Sequence, residues 1–394
     1  MSYRKFKANH LFTGTEMLGS DNVLVTKSNG EIIEIISEKN AGENVEIFKG
    51  IISPGFINAH CHLELSHMKG FIDEKTGLVD FVFKVVNERH FPGEEILVAI
   101  NKAENEMLQN GIVAVGDICN NLSTLPQKQK NNLAYYNFIE ASGWLPSVSK
   151  TRFERALDLY NEFKILNSKF KISIVPHAPY SVSEELWKFI IPYFESKVVS
   201  IHNQETSFED EFFLQSSGDL LRMYAMMNID NSHHVATKKS SLQTYFSKLS
   251  KAASVILVHN TFTKQADIDF IKLTTQNLQL KTFFCLCVNA NLYIENAMPP
   301  IEMLMQNNCN IVLGTDSLAS NWSLNLIDEM KTIQNKFPNI SLEKMLQWAT
   351  TNGAKALLMD NLGSFEKNKK PGILLIENVE KLKLQKATSV KRLL

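Results

Sequence analysis

Eight short apolar runs, GFINAH, GIVAVGD, AYYNFIEA, KISIVPH, VVSIHN, SVILVHN, TFFCLCVN and NIVLGTD, constrain this chain more than any other feature. Amphipathic segments such as EEILVAINKAENEMLQN, RFERALDLYNEFKILN, QADIDFIKLTTQN and LNLIDEMKTIQNKF lie between most of them. Short apolar runs alternating with helical patterns are the signature of βαβ units around a parallel sheet. Eight such repeats in roughly 300 residues predict an α/β fold, a TIM (β/α)8 barrel with loop insertions, ahead of a doubly wound open sheet.

The two ends of the chain have a different character. Residues 1–50 read as short strands (YRKFKANHLF, NVLVTKSNG, EIIEIISE, VEIFKG) with Asn29-Gly30 as a hairpin turn. GILLIENVEKLKL, after the helical stretch SLEKMLQWATTNGAKALL, repeats that pattern near the C-terminus. Chain termini are often close together, so residues 1–50 and 360–394 are expected to build one small β-sandwich domain, with residues 51–359 forming the barrel.

Composition excludes several classes of function. Among 394 residues, 41 Lys+Arg face 42 Asp+Glu, leaving no basic surplus to hold nucleic acid or an anionic membrane. Gly and Pro are sparse, at 17 and 11, and 44% of the chain is hydrophobic, which rules out collagen-like and disordered classes. No secretory pattern opens the chain and no apolar stretch approaches the roughly eighteen residues of a membrane span. Five scattered cysteines suit a reducing compartment. The expectation is a cytoplasmic protein acting on a small-molecule substrate, with homo-oligomer formation left open.

The polar residues fall where a barrel would use them. The first run ends in His60 and His62, the fourth in His177, the fifth in His202, the sixth in His259 and the eighth in Asp316. In a barrel all these ends meet at the C-terminal face, where active sites of that fold lie. Residues i and i+2 of a strand share a side, so His60 and His62 can reach one ion while Cys61 turns into the wall. Three further histidines and an aspartate make a metal site the better reading of that pair. Glu205, three residues past His202, is placed to pass a proton; the competing reading has it cap a helix starting near Ser207. Asp316 is read as a ligand or catalyst, with a helix cap as its alternative, and His259 as a catalytic imidazole beside the ion. His177, Glu64 and His67 are candidates to face substrate, although a turn or a solvated loop explains each almost as well. His10, His90, His233 and His234 lie off the strand ends and are read as surface residues. No glycine-rich phosphate or dinucleotide loop, no G-x-S-x-G, no H-E-x-x-H and no cytidine-deaminase type zinc motif is present.

At this point the segments PGFINAHCHLELS, VPHAPYSVS, IHNQET, VHNTF, CVNANLYIE and VLGTDSLASN, taken in order, resemble the amidohydrolase superfamily. The resemblance is to the branch of S-adenosylhomocysteine and adenosine-type deaminases, guanine and cytosine deaminases and triazine chlorohydrolases. It implies that His60, His62, His202 and Asp316 bind one divalent metal ion, with zinc expected and iron the alternative. It also implies that Glu205 and His259 move protons, His259 steadying the oxygen of the intermediate, and that His177 touches substrate. The lysine of the binuclear branch is replaced by Val175, Pro176 and His177, which implies a single ion. Where relatives often have C-P-x-S-N-L, this chain has Cys287 through Leu292, a pocket-shaping loop in which Asn291 is a substrate-side candidate. The lack of an Ala-Asp pair before the last strand touches fold detail alone. The implied reaction is hydrolytic deamination of an amino-substituted heterocycle, with an adenine-type ring bearing a 5'-substituted ribose favoured. Chloride displacement or other C–N hydrolysis at the same site, and a non-catalytic metal-binding protein, are the alternatives.

Overall fold

The computed structural model describes residues 3–167 and 170–394. The eight apolar runs form eight strands: β1 (Phe56–Cys61), β2 (Ile112–Cys119), β3 (Ala134–Ala141), β4 (Lys171–Pro176), β5 (Val198–Asn203), β6 (Ser254–His259), β7 (Lys281–Leu286) and β8 (Asn310–Leu313). All pair in parallel, β1 through β4 in one sheet and β5 through β8 in another, each strand beside its neighbour in sequence. The sheets touch at both seams. At one, the N–H of His202 donates to the carbonyl of His177 at 3.0 Å and Ser173 Oγ donates to the carbonyl of Val198 at 2.7 Å. At the other, the N–H groups of Thr315 and Asp316 both donate to the carbonyl of His60 at 3.1 Å. Asn58 doubles that seam, donating to Thr315 Oγ1 at 2.7 Å and accepting from the Thr315 N–H at 3.1 Å.

Helices Gly93–Gln109, Ser149–Leu166, Gln265–Thr275 and Leu326–Lys336 fall where the apolar periodicity predicts. They bury residues such as Ile100, Met107, Phe163, Ile268 and Met330 against the strands. A second apolar cluster holds Leu65, Met68, Phe81, Trp144, Tyr180, Phe212, Tyr224 and Ile294. Its members come from segments that follow β1, β3, β4, β5 and β7, so they cover the strand ends from which the polar side chains emerge.

Two strand ends differ from the sequence expectation. The seventh run was expected to stay extended through Asn289, but β7 stops at Leu286 and Val288–Ile294 is helical. The buried Glu329 carboxylate accepts the N–H of Asn289 at 3.1 Å and so caps the first turn of that helix. Cys287 consequently sits at the helix start and does not alternate with Cys285 along a strand. In the eighth run the strand itself ends at Leu313, and Gly314 and Thr315 carry the chain on to Asp316. A Cβ on Gly314 would lie 2.7 Å from Cys285 Sγ and 3.0 Å from His60 Cβ, so only glycine allows this close approach.

The chain ends form two further sheets. One contains Tyr3–Lys7, Asn22–Lys27, Ile32–Ser37 and Val45–Ile47; the other contains His10–Phe12, Met17–Leu18, Ile51–Pro54, Ile373–Glu380 and Lys383–Arg392. Phe6, Leu11, Leu24, Ile32, Ile52, Phe365 and Ile373 pack in one apolar cluster drawn from both. Gly30, at φ +83°, sits in the hairpin turn closed by the Lys27 N–H on the carbonyl of Glu31, which in turn is expected of Asn-Gly. Ile51–Pro54 pairs with Ile373–Ile376, so the terminal sheets reach past residue 50 and hand over to β1 at Gly55. Among the described residues no helix is long and apolar enough to cross a membrane.

At Gly116 on β2 an added Cβ would meet the carbonyl oxygen of Ala59 at 2.5 Å and the Phe138 ring at 2.9 Å. Gly116→Ala is therefore expected to destabilise the fold by about 1–3 kcal/mol, as overpacking does. Gly19→Ala, which meets nothing within 4 Å, should stay within about 0.5 kcal/mol of the parent. Urea unfolding of both variants checks the pair.

Candidate active site

Strand geometry brings the polar ends together. The donor nitrogens of His60, His202 and His259 and a carboxylate oxygen of Asp316 all lie within 4.8 Å of one another. His62 belongs to the same group: its Nε2 is 3.2 Å from His60 Nε2, 3.2 Å from His202 Nε2 and 3.3 Å from Asp316 Oδ1. His60 Nε2 is 3.6 Å from the same Oδ1. Donors about 2.0–2.1 Å from a tetrahedral zinc ion stand about 3.3–3.4 Å apart. Three imidazole nitrogens and one carboxylate oxygen at these spacings fit one such ion.

The side chains are held in the orientation that binding needs. His202 Nδ1 donates to the carbonyl of His177 at 2.7 Å, which leaves the Nε2 lone pair facing the cluster. Ser320 Oγ donates to Asp316 Oδ2 at 2.5 Å, leaving Oδ1 for the histidines. Burial lowers the pKa of His60 and His62. Burial, with the neighbouring imidazoles adding to it, pushes His202 well below its usual value. The rings are thus neutral near pH 7, the state that ligation requires. Burial alone would raise Asp316, but the bond from His60 and the facing histidines outweigh it and hold the carboxyl well below the usual range.

Glu205 stands beside this group, next to His259. His259 Nδ1 donates to Asn291 Oδ1 at 2.8 Å; the amide is oriented by its own Nδ2, which donates to the carbonyl of His259 at 3.5 Å. A neutral His259 therefore presents a bare Nε2, 3.5 Å from Glu205 Oε1. Burial, reinforced by the Asp316 and Glu295 charges, pushes the Glu205 carboxyl well above its ordinary value, which favours its proton-carrying form. Helix Ser207–Gln215 does begin nearby, but its cap position is Thr206. The backbone at Gln204, His259, Asn260 and Asp316 has φ of +45°, +71°, +59° and +56°. Strained φ values of this kind collect where side chains are aimed into a site. Glu209 supports one of them, accepting the N–H of Gln204 at 3.0 Å and the Ser241 hydroxyl at 2.5 Å.

Other candidates are placed less directly. His177 lies against His202, ring centroids 4.8 Å apart, and its Nδ1 meets Ser181 Oγ at 2.8 Å. Asn291 acts on His259, as described, from within a helix. Glu64 is buried, with Oε2 accepting the N–H of Asn120 at 2.9 Å and Oε1 3.9 Å from the Arg89 guanidinium. It lies outside the donor group. His67 is half-buried, its Nε2 on the carbonyl of Arg89 at 3.0 Å. His234, read as a surface residue, is instead half-buried and stacked on Phe212 at 4.0 Å; aromatic neighbours far away in sequence cover it. Glu140 was missed. It closes the third run, its Oε2 accepts from Asn120 at 2.9 Å, and its Oε1 lies buried without a partner 3.9 Å from His202 Nδ1. The signal was present, because Glu140 ends an apolar run just as His177 and His202 do.

A family model for the amidohydrolase family matches residues 51–392. The chain belongs to the amidohydrolase family. It is 28% identical over 343 residues to an adenosine deaminase of Helicobacter pylori, covering 86% of this chain and 81% of that one. Its fold matches the crystal structure of Helicobacter pylori aminofutalosine deaminase in complex with methylthio-coformycin at a TM-score of 0.80 and 25% identity, over 97% of this chain and 93% of that one. An adenosine deaminase from Xanthomonas campestris with bound zinc shares the fold at a TM-score of 0.69 and 18% identity, covering 95% and 84% of the two chains.

Glu329, which caps the helix carrying Asn291, is pushed from 4.5 up to about 8 by burial. Folding therefore favours its protonated form. That stability is fully present below the unfolded pKa and is lost as pH rises through about 8. Glu329→Gln should make the fall of stability between pH 5 and pH 8 shallower, by up to about 1.4 kcal/mol per pH unit. Urea unfolding at several pH values measures both slopes; equal slopes would show that Glu329 does not titrate in this way.

Proposed function

We propose that this amidohydrolase is a hydrolytic deaminase of an amino-substituted heterocycle, an adenine-type nucleoside, working with one zinc ion. The observation that carries the proposal is the convergence of three imidazole nitrogens and Asp316 Oδ1, with Glu205 Oε1 3.5 Å from His259 Nε2. The names of the similar proteins supply the substrate class: an adenosine deaminase and an aminofutalosine deaminase. Consecutive parallel strands and the pair of hydrogen bonds from the Thr315 and Asp316 N–H groups to the His60 carbonyl support a closed (β/α)8 barrel. The terminal strands support a flanking β-sandwich. We divide the chain into that small unit, residues 1–50 extended by Ile51–Pro54 and joined by 360–394, and a barrel running on to about residue 359.

His60, His62, His202 and Asp316 would hold the ion. When bound it supplies Lewis acidity, bringing the pKa of a water from about 15.7 toward about 7. Asp316, its Oδ1 facing the histidines, would take a proton from the attacking water. His259 would assist on the same side: tied to Asn291 through Nδ1, its neutral ring can accept a hydrogen bond at Nε2 from the attacking water and so steady that oxygen. Glu205 would give a proton to the ring nitrogen, which makes the amino-bearing carbon electrophilic; the proton held by Asp316 would pass to the amino group, which leaves as ammonia, and the hydroxyl proton of the intermediate would return to Glu205 as the carbonyl forms. His177 and Asn291 lie next to His202 and His259 and would border the substrate.

Zinc-loaded protein offered adenosine, 5'-substituted adenosines, guanine and an aminochlorotriazine should release ammonia from the adenosine class. Chloride release without ammonia, or no product from any of them, would overturn the proposal. His202→Ala should lose the ion, since three donors remain of four. Glu205→Gln should keep the ion and lose turnover by roughly two to four orders of magnitude, the usual worth of a general acid. Elemental analysis beside turnover separates the two cases; loss of metal from Glu205→Gln would make Glu205 a ligand.

A further inference from the structure

Asp117, at the end of β2, lies opposite Cys61 in the β1–β2 pairing, between the two histidines of the first strand. Its Oδ1 accepts the backbone N–H of Leu63 at 2.8 Å. Its Oδ2 lies 2.5 Å from Lys128 Nζ, and both side chains have 0% exposure. Lys128 ends the short helix Leu125–Lys128. Its Nζ also meets Cys119 Sγ at 3.1 Å and sits over the rings of Tyr135 and Phe163, at 5.1 and 5.5 Å from their centroids.

An ion pair this deep is weak grounds for stability, because two apolar residues of the same volume often do as well. An apolar pair cannot accept the N–H of Leu63. That N–H belongs to the residue after His62, where the chain leaves the strand. The carboxylate therefore fixes the backbone at His62, whose Nε2 stands 3.2–3.3 Å from three other donors. Lys128 fixes the carboxylate in turn, one oxygen for each partner. Neither side chain enters the donor group.

We propose that Asp117, held by Lys128, is a positioning residue for the ligand His62: it sets the exit of β1 through Leu63 and organises the site before any ion binds. The inference rests on the reading of His62 as a ligand. Outer partners of metal-binding imidazoles are typically worth 10–100-fold in affinity.

Two double variants of the full chain test it without leaving a buried charge alone. Asp117→Asn with Lys128→Met keeps a carbonyl acceptor for Leu63; Asp117→Leu with Lys128→Met removes it. Zinc affinity measured by chelator competition should fall about 10–100-fold in the Leu/Met protein and stay within about threefold of the parent in the Asn/Met protein. Equal affinity in all three proteins overturns the proposal. So does an equal loss in both variants, which would assign the effect to packing. Should the Leu/Met protein fail to fold, amide hydrogen exchange of the parent decides: the Leu63 N–H should remain protected after zinc is stripped. Exchange that appears only on stripping would mean that the ion orders this turn, and the proposal fails. A parent that binds no zinc would instead contradict the metal reading itself, and would do so before any variant is made.

Discussion

The carbonyl of His60 is the point on which the site depends. It accepts the N–H groups of both Thr315 and Asp316, and so brings the last strand to the first across most of the chain. Without that seam Asp316 would have no reason to face His60 and His62. Gly314 is part of the same constraint, since a side chain there would push against Cys285 and His60 itself. The price is a residue at φ +56°, which an aspartate tolerates better than most. A strained backbone and a carboxylate aimed into a group of imidazoles thus have one cause.

Burial does most of the electrostatic work. It pushes the imidazoles toward their neutral, ligating form and the Glu205 carboxyl toward its proton-carrying form. Asp316 is the exception: its interactions with the facing histidines, His60 first, outweigh burial and shift its carboxyl well below the usual range. One pocket therefore holds two carboxyl groups pushed in opposite directions, Asp316 down and Glu205 up, the pattern by which environment separates acid from base roles. Behind the pocket, Asp117, Glu209 and Glu329 each accept a backbone N–H where the chain turns away from a strand: Leu63, Gln204 and Asn289 respectively. Each fixes a turn next to a side chain of the site.

Much of this was legible in the sequence. Apolar runs covered on both faces look alike wherever they occur, and a histidine or aspartate closing such a run stands out; His60, His202, His259 and Asp316 were visible on that rule. Glu140 obeys the same rule, at the end of the third run. What the sequence hides is pairing between distant segments. Glu209 in SFEDEFFLQ looks like the acidic first turn of a helix, and Lys128 in LPQKQK looks like a solvated lysine, yet both are buried by tertiary contacts. The end of β7 was misplaced because an apolar run does not show where a distant Glu329 will cap a helix. Ile51–Pro54 reads as one run with β1, and only the pairing with Ile373–Ile376 assigns it to the terminal sheet.

The central claim is a single four-donor centre built from His60, His62, His202 and Asp316. X-ray absorption at the zinc edge of the purified, zinc-loaded chain tests it most directly. The account predicts one ion per chain with nitrogen and oxygen neighbours alone at about 2.0–2.1 Å and the outer-shell pattern of three imidazoles. A sulfur neighbour at about 2.3 Å, or a second metal at about 3.5–4 Å, would contradict it.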